Sequence, residues 1–231
     1  MKNRLNRPLI VALCVLLLSI SACTRDNKLR TVKIGTQEWT AENLSVDRFR
    51  NGDRIPEVKT SAEWEKAGKN KQAAWCYYDN DKTNEKKFGK LYNYYAVIDP
   101  RGLAPEGWHL PSMKEWTVLI EFLGDGKNTS GIKLKSTDGW RPEYSLDGKG
   151  IRDGNGTDES GFTAYPGGYR FDGGPFFGKD GTCYWWCADN FKGSCPSVCH
   201  LGSETGGVYL SIGLSYGFGC YVRLVKDSAE K

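Results

Sequence analysis

Six cysteines lie in the body of the chain, at positions 76, 183, 187, 195, 199 and 220, and four of them repeat one spacing, Cys183 to Cys187 and Cys195 to Cys199. Thiols so placed can close disulfides, hold a metal or cycle as a redox pair. A hairpin closing about Phe191 sets Cys183 opposite Cys199 and Cys187 opposite Cys195 in one register, at Cα separations of about 4.5 to 5.5 Å that a disulfide spans. Pro196 then requires the second strand to be an edge or irregular, and Cys76 with Cys220 is left as the third pair. Four thiols also suit zinc, but an oxidising compartment favours disulfides. His109 and His200 are isolated in sequence and read as packing or hydrogen-bonding residues.

Oxygen ligands and aromatics supply the other candidates. Asp79 and Asp81, with Asn84 and Glu85, resemble the start of a calcium loop, although its sixth position is Asn84 rather than Gly and its twelfth is Lys90 rather than Glu. Asp153 and Asp158 sit in a second acidic, Gly-rich set with Asn155 and Glu159. Solvated turns are the preferred reading of both. On a strand, Trp185 and Trp186 point to opposite faces, so one of them is expected outside the core. With Tyr169 and Arg170, which follow Gly167-Gly168, they are the candidate residues for stacking on and bonding to a sugar; filling of a loop-rich core is the competing reading. No Ser-His-Asp set, phosphate loop or HExxH motif occurs.

The first residues say where such chemistry would operate. Lys2, Arg4 and Arg7 precede an apolar run, Leu9 to Leu18, that is too short to span a bilayer and reads as a secretory signal. It ends in Ile20-Ser21-Ala22-Cys23, which resembles the lipobox of bacterial lipoproteins. Residues 1–22 are therefore expected to be removed, Cys23 to be lipidated, and residues 23–30 to tether one domain, 31–231, to a membrane. The expected location is the outer membrane or cell surface. Removing the first 23 residues takes away three of the 32 basic side chains and none of the 28 acidic ones, which leaves a formal charge of +1 and nothing that suggests nucleic acid.

The elements that must position these residues are punctuated locally. Ser112 and Glu115 have capping-box spacing, so a helix starts at Met113; Trp116, Leu119, Ile120 and Leu123 form one apolar stripe, Val118 and Phe122 a second, and Gly124 is expected as a left-handed stop. Thr60 and Glu63 cap a shorter helix that Gly68 should end. Val32-Lys33-Ile34 and Gln37-Glu38-Trp39 flank Gly35-Thr36 as a hairpin. Trp75 to Tyr78 and the alternating Tyr221 to Val225 read as strands, and Gly139 to Gly161 as a long surface excursion. The whole is an α+β domain, rich in loops, with two helices and small antiparallel sheets.

The segments WCYYDND (75–81), GKLYNYYAV (89–97), DPRGLAPEGWHLPSMKEW (99–116), GFTAYPGGYR (161–170), Tyr184-Trp185-Trp186 and the terminal Val222-Arg223 resemble the Fibrobacter succinogenes major paralogous domain over nearly all of the chain after the leader. That family is similar to the C-type lectin-like fold and to the formylglycine-generating enzymes. The resemblance implies paired N- and C-terminal strands and a second small sheet under long loops. Family members commonly carry a Cys directly after the terminal Val-Arg, where this chain has Leu224.

The expected function is a non-catalytic, membrane-anchored module of the envelope or surface that binds a glycan or an envelope protein, with no cofactor other than the calcium left open above. The alternatives are a structural or adhesin subunit and a copper-dependent thiol oxidase, since Trp186 to Asp189 resembles the WCAD-like segment of the formylglycine-generating enzymes and Cys195 with Cys199 is a loose redox pair.

Overall fold

The computed structural model describes residues 29–124, 129–144, 151–191 and 195–228. The leader, with Cys23, lies outside them. The first half of the chain runs β1 (Thr31–Ile34), β2 (Gln37–Thr40), α1 (Ser61–Lys69), β3 (Trp75–Cys76), α2 (Glu85–Phe88), β4 (Leu91–Asn93), α3 (Tyr94–Val97), β5 (Trp108–His109), α4 (Met113–Leu123) and α5 (Ser130–Leu134). Among the described residues the second half has strands and no helix: β6 (Glu143–Tyr144), β7 (Ile151–Arg152), β8 (Gly167–Arg170), β9 (Phe176–Lys179), β10 (Thr182–Phe191), β11 (Cys195–Gly202), β12 (Tyr209–Ile212), β13 (Gly219–Cys220) and β14 (Val225–Lys226). No described helix is long and apolar enough to cross a membrane.

Both capping boxes form as expected. Ser112 Oγ accepts from the Glu115 amide while Glu115 returns to the Ser112 amide at 2.8 Å, and Thr60 with Glu63 does the same for α1. Trp116, Leu119, Ile120 and Leu123 are buried, but Val118 and Phe122 are not: Phe122 is 64% exposed. The helix is therefore buried on one side only. Its second stripe faces outward, where the Phe122 ring lies close against Gly35 in the β1–β2 turn. Gly124 is extended rather than left-handed (φ 163°), and a Cβ there would collide with Thr129. The first helix passes through Gly68 and ends at Lys69.

Two sheets carry the domain. One is four-stranded, in the order β1-β2-β14-β5, so strands from the two ends of the described chain pair directly, Val225 with Trp39. The other is eight-stranded, in the order β12-β11-β10-β8-β13-β4-β3 with β9 attached to β8. Period-2 alternation along β10 sends Cys183, Trp185 and Cys187 into one core cluster with Trp39, Trp116 and Phe162. It sends Trp186 into a second, with Tyr92, Tyr94, Val222 and Leu224. The long sheet is thus covered on both faces in its middle.

Both tryptophans are consequently core residues, 1% and 0% exposed, which corrects the expectation that one would be outside. Each indole N–H has a partner: Trp185 donates to Asn43 Oδ1 at 2.8 Å and Trp186 to the Tyr92 carbonyl at 2.7 Å. Residues 221–225 do not alternate. All five are buried, and only Val225 lies in a regular strand. Trp75 to Tyr78 is a two-residue strand that turns at once into a 3₁₀ segment, Tyr78–Asn80. The Gly139–Gly161 excursion is pinned at its base: Trp140 is buried, and its amide donates to Asn155 Oδ1 at 2.9 Å.

Two buried arginines tie loops to sheet. Arg223 donates to Asn43 Oδ1 (2.7 Å), the Thr40 carbonyl (2.8 Å) and the Thr163 carbonyl (3.3 Å), and lies over the Phe162 ring at 4.1 Å. Burial pulls its pKa down to about 9. The Thr163 carbonyl is presented because Thr163 adopts φ 53°, held there by Asp158, which accepts from its amide and hydroxyl at 2.7 and 2.8 Å. Arg170 is fully buried over the Trp64 and Phe176 rings and donates to the carbonyls of Val58, Lys59 and Gly174. It is a structural clamp, out of reach of any sugar.

Candidate functional site

Where the second core stops covering the long sheet, the same face continues outward as a row of aromatic rings. Register builds it. Tyr184, His200 and Tyr209 are directly opposed on three neighbouring strands, Tyr184 against His200 and His200 against Tyr209. Their rings stack within 20° of parallel at centroid distances of 4.9 and 5.2 Å. On the other side of Tyr184, Tyr169 of β8 lies 5.1 Å away and turned by 71°. Tyr169 is opposed to Phe177 of β9 and stacks on Phe218 at 5.9 Å, and Phe171 meets both phenylalanines edge-on.

Seven rings from 169 to 218 thus form one continuous contact. Its middle, Tyr184 and Phe218, leans on the second core, and its outer members are open: Phe171 is 42%, Phe177 48% and Tyr209 43% exposed. Large apolar groups left together at a surface mark an interaction site more often than they arise by neglect. These rings are not purely apolar, because Tyr169, Tyr184 and Tyr209 bring hydroxyls and Thr205 Oγ1 sits 3.0 Å from the Tyr209 hydroxyl. Burial lowers the His200 pKa, against a smaller opposing pull from Glu204. Neutral His200 leaves the whole row uncharged at pH 7. Behind Phe171 and Phe218 in sequence, Asp172, Gly173, Ser215 and Gly217 line a cleft of about 300 Å³ with Glu65, Lys69 and Tyr95.

Of the four residues expected to bind, then, Tyr169 lies in the row, whereas Arg170, Trp185 and Trp186 are buried in the core. The residues that join Tyr169 were not visible as a group in sequence, since four come from separate strands whose registers are set by pairing and two, Phe171 and Phe218, from the loops beside β8 and β13. Only the aromatic content of 169–218 hinted at them.

The cysteines do not pair. All six are free thiols, five of them buried. Along β10 and β11 the register is displaced by two residues from the expected one: Cys183 faces Leu201 and Cys199 faces Trp185, and beyond an irregularity after Trp186 the residue facing Cys195 is Phe191. Cys76 and Cys220 are separated by β4, two inter-strand steps or roughly 10 Å, and belong to different core clusters. Burial pushes the Cys76 and Cys183 thiols up to about 12 and Cys187, Cys199 and Cys220 upward as well. These are protonated packing groups.

The acidic candidates also serve the backbone. Asp81 accepts from the Thr83 amide at 2.9 Å and its hydroxyl at 2.7 Å, Asp153 accepts from the Asn155 amide, and Asp158 holds Thr163 as above. Asp79 occupies a left-handed turn position. Among the described residues no group of three or more His, Cys, Asp or Glu side chains is placed to hold a metal.

One polar cluster went unread in sequence. His109 Nε2 lies 2.7 Å from Glu115 Oε1 and Nδ1 lies 2.6 Å from Asp227 Oδ1, while Glu115 Oε2 is held by Ser112. Both ring nitrogens are engaged and the serine is spent on the helix cap, so the arrangement fastens rather than reacts.

An α+β domain with two principal sheets, one antiparallel and one mixed, a covered middle and a partly open aromatic face is the class these observations define. The chain matches the Fibrobacter succinogenes major domain over residues 32–226, and it belongs to that family. No curated protein and no solved structure matches it.

Proposed function

We propose that this chain is an exported, lipid-anchored, non-catalytic binding module of the bacterial envelope or surface, and that the aromatic row takes a carbohydrate. The observation that carries the reading is the row itself: seven rings in mutual contact, uncharged, with outer members open at the surface and hydroxyls along it. Sugars have apolar faces and hydroxyl rims, and tyrosine answers both with one side chain. The basic start, apolar run and Ser21-Ala22-Cys23 ending support anchoring through Cys23 and a place at the outer membrane or cell surface. The pairing of β2 with β14 and the two principal helices support a C-type lectin-like architecture.

The test is a glycan array probed with the full-length chain and with Tyr209→Ala and Phe177→Ala. Binding to defined glycans that both variants weaken several-fold, with unchanged circular dichroism, is expected; equal binding by the variants would remove the row from the site. For the anchor, Cys23→Ser is expected to leave the membrane fraction, and its retention there after a carbonate wash would defeat lipidation.

A further inference from the structure

The row's geometry also says what form of carbohydrate it fits. Five of its rings come one per strand across β12, β11, β10, β8 and β9, four inter-strand steps or about 20 Å in all. Both ends are open. Tyr209 stands on the outermost strand of the sheet and Phe177 on the attached strand β9, each more than two-fifths exposed. That exposure suits a chain that runs on past both ends, whereas recognising a terminal sugar requires a pocket that stops the next unit.

Nor is the row a flat platform. Tyr184, His200 and Tyr209 share one plane direction within 20°, whereas Tyr169 is turned 71° from Tyr184, and Phe171 lies 70° and 86° from its two phenylalanine neighbours. A crystalline polysaccharide face, in which every sugar lies in one plane, touches coplanar rings; these are set in two stacks that meet nearly at right angles. A single chain in solution, free to rotate about its glycosidic bonds, can follow such a change of direction.

Resting on the carbohydrate reading above, we infer that the row binds an internal stretch of roughly four or five units of one soluble, linear, uncharged glycan chain, and neither a chain end nor a crystalline surface. The absence of charge along the row bears on the ligand: an anionic chain would find no cation among these seven side chains to pay for its desolvation.

The experiment titrates the full-length chain with gluco-, manno- and N-acetylglucosamine oligosaccharides of one to eight units, alongside pull-down by the corresponding insoluble polymers. The expected result, in at least one series, is no measurable binding of the monosaccharide, several-fold tightening with each added unit, and a plateau near five. Tyr209→Ala and Phe177→Ala, at the two ends, should each weaken binding of the longer oligomers several-fold and bring the plateau to a shorter chain. Full affinity for a mono- or disaccharide would overturn the internal-stretch inference while leaving carbohydrate binding intact, as would retention on insoluble polymer without binding of any soluble oligomer. Binding of no sugar in either format would overturn the carbohydrate reading and this inference together.

Discussion

His109 Nδ1 lies 2.6 Å from Asp227 Oδ1, and this contact ties the strand after Gly107 to the residue just beyond β14. With Glu115 on the other ring nitrogen, one imidazole joins β5, the start of α4 and the C-terminal strand. Burial alone would lower the His109 pKa, but the hydrogen bonds to Glu115 and Asp227 outweigh it and raise it above the ordinary 6.5. Burial likewise tends to raise the Glu115 pKa, and bonds from the Ser112 amide and from His109 bring it below the ordinary 4.5.

The sign of the pH dependence follows. The histidine's contribution is complete below pH 6.5 and is lost as pH rises through its higher folded value; the glutamate's is present above pH 4.5 and is lost as pH falls through its lower folded value. His109→Gln should therefore lower the thermal midpoint most between about pH 4.5 and 6.5, and the gap to wild type should close by pH 9. Thermal unfolding across pH 4 to 9 checks this, and a gap that does not vary with pH would show that the imidazole contributes only packing.

The two helix caps should differ in weight. Thr60→Ala removes an exposed cap and is expected to cost about 1 kcal/mol. Ser112→Ala should cost more, because Ser112 also fixes the carboxylate that holds His109. Urea denaturation of the two variants and of Ser112→Ala in a His109→Gln background checks the comparison. The excess should vanish in the double variant.

Arg223 offers a sharper test of burial. Its guanidinium satisfies Asn43 and two carbonyls in a site with little room for water. Arg223→Met takes this donor from the Thr40 and Thr163 carbonyls, while Asn43 Oδ1 keeps Trp185, and is expected to cost about 3 kcal/mol; Arg223→Lys should recover only part of it because an ammonium cannot reach all three acceptors. Chemical denaturation measures both.

For the cysteines the expected outcome is sharp. Peptide-level alkylation of the native, unreduced chain should modify Cys195, which is half-buried, and spare Cys76, Cys183, Cys187, Cys199 and Cys220 until denaturant is added. Without reductant, all six should then react. A pair that stays protected in denaturant would be a disulfide.

What was legible in sequence was what is decided within one helical turn or one tight turn. Thr60 with Glu63, Ser112 with Glu115 and Gly35 between two short strands specify their own conformations, and the structure has each of them. What misled was exposure: Phe122 has the type of a core residue and the position of a surface one, because its partner is a turn far away in sequence. Strand register was the larger gap. The spacing of Cys183, Cys187, Cys195 and Cys199 suggests a symmetric hairpin, but the register is offset by two residues and then broken after Trp186, so every cross-strand partner changes. That single offset also explains the site. It sets Tyr184 opposite His200, which the separate β11–β12 register sets opposite Tyr209, an alignment that no local pattern contains.

The place of β14 between β2 and β5 has a consequence for biosynthesis. Until Val225 and Lys226 have been made, the hairpin β1–β2 and the strand β5 are two fragments with nothing between them, and Trp39 lacks its partner Val225. A chain cut short of that point cannot close its smaller sheet. Of the four strands in that sheet, the one that joins the other two parts is the one made latest, so closure waits on Val225 and Lys226.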